Sequence, residues 1–397
     1  MHPETILIRN ISRIVTGDIS NPVHEADSIY IENGYFKEIG TTKKEADLII
    51  DASGMVVCPG FIDSHVHPVC GGYTPVQQCL DWITPYLHCG TTSMVSAGEL
   101  HVPGLNVLTA DARYFKYLAI LSRQWYSTRF ANVKLEAGTV ILLPGLSEMD
   151  FDELAEFRCK NVKFIYFPYD RMDEAKQYVA WAKKRGMVVK IHSGGVSRSG
   201  VNIPADAEVI FQLSPDIVAH ICGGPIPMTF QDIKEVISSR SFWIEICYCG
   251  NLTLVPKVID LCVEAGVLDR VILGTDTPSG TGVTPRGLMR LIALIAAHSD
   301  LSPEMAICMA TGNTARAHRL DTGFIQEGKP ADLLILDSVP GSEGKSPLDN
   351  LHIGNLVAIA LVMIDGQVII SGRTEQLPPP ERQITLSWSE GNKGISY

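Results

Sequence analysis

The chain has 397 residues, 46% of them apolar, and a formal net charge of −11. That is enough apolar material for a large buried core and for more than one domain, and the acidity leaves no overall positive field to gather nucleic-acid phosphates. No apolar run reaches the roughly 18 residues of a membrane span, and the start "MHPETILIRNISRIV" lacks the parts of a signal peptide, so the expectation is a cytoplasmic protein with no membrane partner.

Residues 1–58 consist of short alternating segments, "TILIRNI", "SIYIENGYFKEIG" and "ADLIIDASG", separated by Gly, Asn, Asp and Ser turns. This is the texture of a small β domain. From residue 59 to 322 strand-length apolar runs alternate with helical segments such as "MDFDELAEFRCK", "MDEAKQYVAWAKKRG" and "NLTLVPKVIDLCVEAG". Taken in order, the strand runs are "VVCPGFIDSHVH", "GTTSMVSAG", "TVILLPG", "NVKFIYF", "GMVVKIHSGG", "DIVAHICGG", "FWIEICYCG" and "RVILGTDTPSG". About eight strand and helix units are what a closed parallel (β/α)8 barrel requires. No Gly-rich dinucleotide fingerprint follows a strand, which weighs against a doubly wound open sheet. Residues 323–397 return to β texture in "GKPADLLILDS" and "LVAIALVMIDGQVIISG", then end in a polar tail that the run Pro378 to Pro380 marks as extended and exposed. The two ends of the chain are expected to build one β-sandwich.

The strand ends carry the chemistry. Side chains at i and i+2 of a strand share a face, so His65 and His67 in "FIDSHVHP" project together. Three other runs end alike, with His192 in "VVKIHSGG", His220 in "DIVAHICGG" and Asp276 in "VILGTDTPSG". In a closed barrel these ends converge on one mouth, and burying four imidazoles and a carboxylate there without a metal or hydrogen-bond partners would be costly. Lys163, in "NVKFIYF", reads either as a lysine whose stem carries its charge to solvent or as a carbamate able to bridge two cations, with Lys160 as the fallback. The glycine pairs Gly194–Gly195 and Gly223–Gly224 allow tight turns and close approach of the backbone to a substrate. Of ten cysteines, Cys247 and Cys249 in "EICYCG" face one side of a strand and read as core or pocket thiols, with a nucleophile as the alternative.

The set His-x-His, Lys, His, His, Asp resembles that of the amidohydrolase superfamily, metal-dependent hydrolases on (β/α)8 barrels flanked by a small β-sandwich. "GMVVCPGFIDSHVH" and "TGFIQEGKPADLLILD" extend the likeness over almost the whole chain. The resemblance implies His65, His67 and Asp276 on one divalent metal, His192 and His220 on a second, and a carbamate on Lys163 between them. Imidazole and carboxylate donors suit Zn, Fe, Mn or Ni. The implied reaction is attack of hydroxide on an amide carbonyl, with Asp276 accepting a proton and passing it to the leaving nitrogen. "HVHPVCGGYTP", "AHICGGP", "EICYCGN" and "GTDTPSGTG", which surround the ligands, resemble segments of a superfamily member that opens a cyclic amide, and that resemblance implies a cyclic amide as the small-molecule substrate. Tyr73, His101 and Arg198 are candidates for holding it, Arg198 through a substrate carboxylate. A dihydropyrimidinase, dihydroorotase or hydantoinase type of hydrolase, a mononuclear deaminase and a non-catalytic scaffold are the rival readings. The superfamily likeness further implies a homo-oligomer, tetramer or dimer.

Overall fold

The computed structural model describes residues 3–68, 82–99, 109–127, 132–195, 204–224, 226–278 and 282–389. The chain forms two compact units, one of Met1–Ile62, Pro85–Thr92 and Ile292–Tyr397, the other of Asp63–Thr84 and Ser93–Leu291.

Parallel strands organise the second unit, the first residues of two of them belonging to the first unit; they are here numbered β1 Phe61–Val66, β2 Thr91–Ser96, β3 in two pieces Lys134–Glu136 and Val140–Ile141, β4 Asn161–Phe164, β5 Val188–His192, β6 Ile217–Ala219, β7 Trp243–Cys247 and β8 Val271–Gly274. Nearly every residue of these strands is buried, as expected of strands covered on both faces. The first piece of β3 pairs with β2 and the second with β4, and β4 to β8 follow in sequence order. The ring closes between β8 and β1. Val66 bridges Thr277 in parallel, the Asp276 N–H donates to His65 O at 2.8 Å and the His67 N–H to Thr277 O at 2.7 Å. The eight expected strands are therefore all present, in chain order, as a closed barrel.

Helices connect the strands, and their ends are written locally. The helix Phe230–Ser238 starts at Thr229, whose side chain accepts from the Asp232 N–H. The helix Val255–Ala265 opens with a proline in its first turn and stops at Gly266 in the left-handed conformation.

In the first unit two sheets share one apolar core. A five-stranded sheet runs in the order Thr385–Trp388, Leu48–Asp51, Thr5–Arg9, Ile29–Glu32, Tyr35–Ile39, and a six-stranded sheet joins Leu333–Asp337 antiparallel to Val56–Pro59. Ile6, Ile29, Phe36 and Ile50 of the first sheet pack with Val57, Leu333, Ile335 and Leu361 of the second. Both ends of the chain thus meet in one sandwich. The polar tail is extended and largely exposed, as the prolines suggest, and it also carries a strand. Beyond the prolines, Thr385–Trp388 is an edge strand antiparallel to Leu48–Asp51, and Arg382 holds the fully buried Asp337 through Nε at 2.9 Å. Among the described residues, no helix is long and apolar enough to cross a membrane.

Candidate metal centre

His65, His67, Lys163, His192, His220 and Asp276 all sit at or just beyond the carboxyl ends of β1, β4, β5, β6 and β8, and none is more than 6% exposed. Lys163 Nζ lies 2.8 Å from His65 Nε2, and Asp276 Oδ1 lies 2.9 Å from His67 Nε2 and 3.4 Å from His65 Nε2. The rings of His192 and His220 are 4.2 Å apart, and that of His220 is 5.3 Å from His65. One buried space therefore collects all six groups.

The outer hydrogen bonds decide which ring nitrogens are available. His67 Nδ1 lies 2.7 Å from the Gly98 carbonyl, which can only accept, and His65 Nδ1 lies 2.6 Å from Glu245 Oε2. With a ring proton on each Nδ1, the Nε2 atoms of both rings face the Asp276 carboxylate. Three converging lone pairs require positive charge between them, and His65, His67 and Asp276 form a group able to hold a metal ion. On the other side His192 Nε2 points to Gly195 O at 3.3 Å, while the buried Nδ1 atoms of His192 and His220 have no hydrogen-bond partner among the described residues. Orphaned buried nitrogens of this kind fit a cation, since an unsatisfied polar group is otherwise costly.

Burial keeps three of these imidazoles, those of His65, His192 and His220, neutral. It pushes His65 and His220 well below the usual histidine range and His192 down to about 3, so their lone pairs stay available at neutral pH. Burial also lowers the Lys163 ammonium to about 8.

Two of the ligand positions are strained. His220 has φ +35° and Asp276 φ +61°, a region that residues other than glycine seldom adopt, and such strain persists where the surroundings over-determine it.

Sequence reasoning missed what stands behind the ligands. Glu245, in the middle of β7 and fully buried, accepts from Ser64 Oγ at 2.7 Å, Lys190 Nζ at 2.6 Å and His65 Nδ1 at 2.6 Å. Lys190 Nζ also donates to Ser64 O at 2.7 Å. Asp63 accepts from the His65 N–H at 3.0 Å, the Thr275 N–H at 2.9 Å and Thr275 Oγ1 at 2.6 Å, which fastens β1 to β8. Burial nevertheless raises Asp63 to about 7. A carboxylate and an ammonium inside apolar strands were the available signal, because neither is buried without a partner.

The remaining candidates separate. Lys160 is half-exposed and pairs with Glu136 at 3.0 Å, so it plays no part in this cluster. Burial holds the Cys247 thiol well above its usual range, which argues against a thiolate nucleophile, and Cys249 is half-buried with its Sγ 3.8 Å from Gly223 O. Tyr73, His101 and Arg198 lie outside the described residues.

Residues 56–369 match the model of the amidohydrolase family. The chain is 40% identical over 382 residues to the enamidase of Eubacterium barkeri, covering 95% of this chain and 98% of that protein. It also resembles the crystal structure of enamidase, with a TM-score of 0.90 and 38% identity over 96% of this chain and 100% of that one. A 5-methylthioadenosine/S-adenosylhomocysteine deaminase of Thermococcus sibiricus is 26% identical over 422 residues, 92% of this chain and 94% of that protein. The barrel with its convergent imidazoles and the match over more than three hundred residues agree: the chain belongs to the amidohydrolase family and is a hydrolase acting on carbon–nitrogen bonds.

Proposed function

We propose that the enzyme is an enamidase, which opens the ring of 6-oxo-1,4,5,6-tetrahydronicotinate at its amide bond. One water cleaves the C–N bond; a second converts the released enamine to aldehyde and ammonia, leaving 2-formylglutarate. The observation that carries this reading is the end-to-end likeness to enamidase, which spans the barrel and both flanking segments.

In this reading His65, His67 and Asp276 hold one divalent ion, Zn or Fe and alternatively Mn or Ni, and His192 and His220 hold a second. Bound there, the ions would supply a water of lowered pKa and polarise the substrate carbonyl. Lys163 bridges the two sets as a carbamate. Its amine, with a pKa of about 8, is neutral in roughly a tenth of molecules at pH 7, and the neutral form is what adds carbon dioxide. Asp276, ionised and beside His67, accepts the proton of the attacking water and returns it to the ring nitrogen as that nitrogen leaves. Glu245 and the Gly98 carbonyl hold the His65 and His67 rings so that Nε2 faces the ions. Arg198, His101 and Tyr73 are proposed to hold the substrate, Arg198 through its carboxylate. A mononuclear deaminase would leave the buried Lys163 beside His65 without a purpose. The barrel is assigned to residues 59–322, the sandwich to residues 1–58 and 323–397, and the enzyme to a dimer or tetramer of identical chains.

Ammonia release from 6-oxo-1,4,5,6-tetrahydronicotinate by metal-loaded protein tests the substrate. Turnover that is abolished by a chelator and restored by the metal is expected. A metal-loaded enzyme that leaves this compound intact while opening dihydropyrimidines or hydantoins would overturn the substrate and keep the reaction class.

A further inference from the structure

Two adjacent glycines follow His220, and the fold accounts for only one of them. Gly223 has φ +93°, and a Cβ there would lie 2.7 Å from Pro227 N, so conformation and packing both require glycine. Gly250, in the turn after β7, is confined by packing alone, with Gly223 O 2.6 Å from an added Cβ. Gly224 differs. Its backbone is outside the left-handed region, and an added Cβ would meet only the edges of two imidazoles, His192 Cε1 at 3.4 Å and His220 Cε1 and Nδ1 at 3.6 and 3.7 Å. Those separations are ordinary van der Waals contacts, and among the described residues none of the three nearest atoms is backbone. Neither strain nor collision with the backbone therefore excludes a larger residue at this half-buried position. A side chain there would instead cover the two rings whose Nδ1 atoms lack a partner.

We propose that Gly224 is a specificity-determining residue: its missing side chain leaves a bare strip over the His192 and His220 rings on which a flat ring lies. This rests on the reading of the site as a metal-dependent amide hydrolase and deepens it. The class admitted is a cyclic amide whose ring bears no branch on the face turned to Gly224.

The test uses metal-loaded wild type, Gly224→Ala and Gly224→Val, with acetohydroxamate and benzohydroxamate as small and ring-bearing probes of one metal-binding chemistry. Binding is read by calorimetry, and metal content and thermal midpoint are taken on the same samples. Added methyl groups in a filled pocket discriminate by roughly tenfold or more. Gly224→Val is therefore expected to weaken benzohydroxamate about tenfold or more while acetohydroxamate stays within about twofold, with Gly224→Ala between and metal content unchanged. Equal weakening of both probes, weakening of neither, failure of either probe to bind wild type, or loss of metal from the alanine variant would overturn the proposal. Turnover of the cyclic enamide by wild type is measured alongside. Its absence would count against the substrate reading alone, because the ratio of probe affinities does not depend on that substrate.

Discussion

The two sides of the centre are built differently. On the side of β1 and β8, His65 and His67 each have Nδ1 engaged, by Glu245 and by Gly98 O, and Asp63 ties the two strands together beneath them. On the side of β5 and β6 the support is thinner: a 3.3 Å contact from His192 Nε2 to Gly195 O, a 3.3 Å hydrogen bond from the His220 N–H to Glu245 Oε2, and two ring Nδ1 atoms with no hydrogen-bond partner among the described residues. The first side is preorganised by its own hydrogen bonds, whereas the second is completed by what binds it. Lys163 lies 2.8 Å from His65, on the first side.

The largest effect is expected from Asp276→Asn, which keeps the shape and removes the proton acceptor. Turnover should fall by roughly 10²–10⁴-fold, the usual worth of a positioned acid and base, with metal still present on the second side; full turnover would remove Asp276 from its role. Next, Glu245→Gln should lower metal affinity at the first side about 10–100-fold while the second side retains its affinity, measured by competition with a chromophoric chelator. Equal losses on both sides would erase the distinction between them.

Acid probes the second side. His192 has a folded-state pKa of about 3, below the unfolded value near 6.5, so in metal-free protein the unfolded state binds the extra proton. Its contribution to stability is complete above pH 6.5 and is lost as pH falls toward 3, at about 1.4 kcal/mol per pH unit. The difference in unfolding free energy between metal-free wild type and His192→Asn, followed by denaturant between pH 6 and 5, should change with this slope, and a difference that does not vary with pH would contradict the neutral, buried state of the ring. The smallest effect belongs to Lys160→Ala. It removes only a half-exposed ion pair, worth under about 1 kcal/mol, and should leave metal content and turnover intact.

Much of this was legible in the chain. His65, His67, His192, His220 and Asp276 each end an apolar run just before a turn, and in a closed barrel such positions have nowhere to point except the mouth. The eight strands were readable for the same reason, because strands covered on both faces carry continuous apolar runs. Glu245 and Lys190 were harder, since each is one polar letter inside such a run and the partner that makes its burial tolerable lies 55 residues away. The edge strand Thr385–Trp388 was hidden by its brevity and by the prolines before it, and only its pairing with Leu48–Asp51 reveals it. The orphaned Nδ1 atoms and the open strip at Gly224 are properties of three-dimensional surroundings and leave no mark on local pattern.

The most direct measurement is anomalous diffraction from crystals of metal-loaded protein grown with bicarbonate. The account predicts two metal peaks, one among His65, His67 and Asp276 and one beside His192 and His220, with carbamate density on Lys163 between them. A single ion on the first side, with Lys163 a free amine and the His192 and His220 nitrogens still unligated, would contradict it.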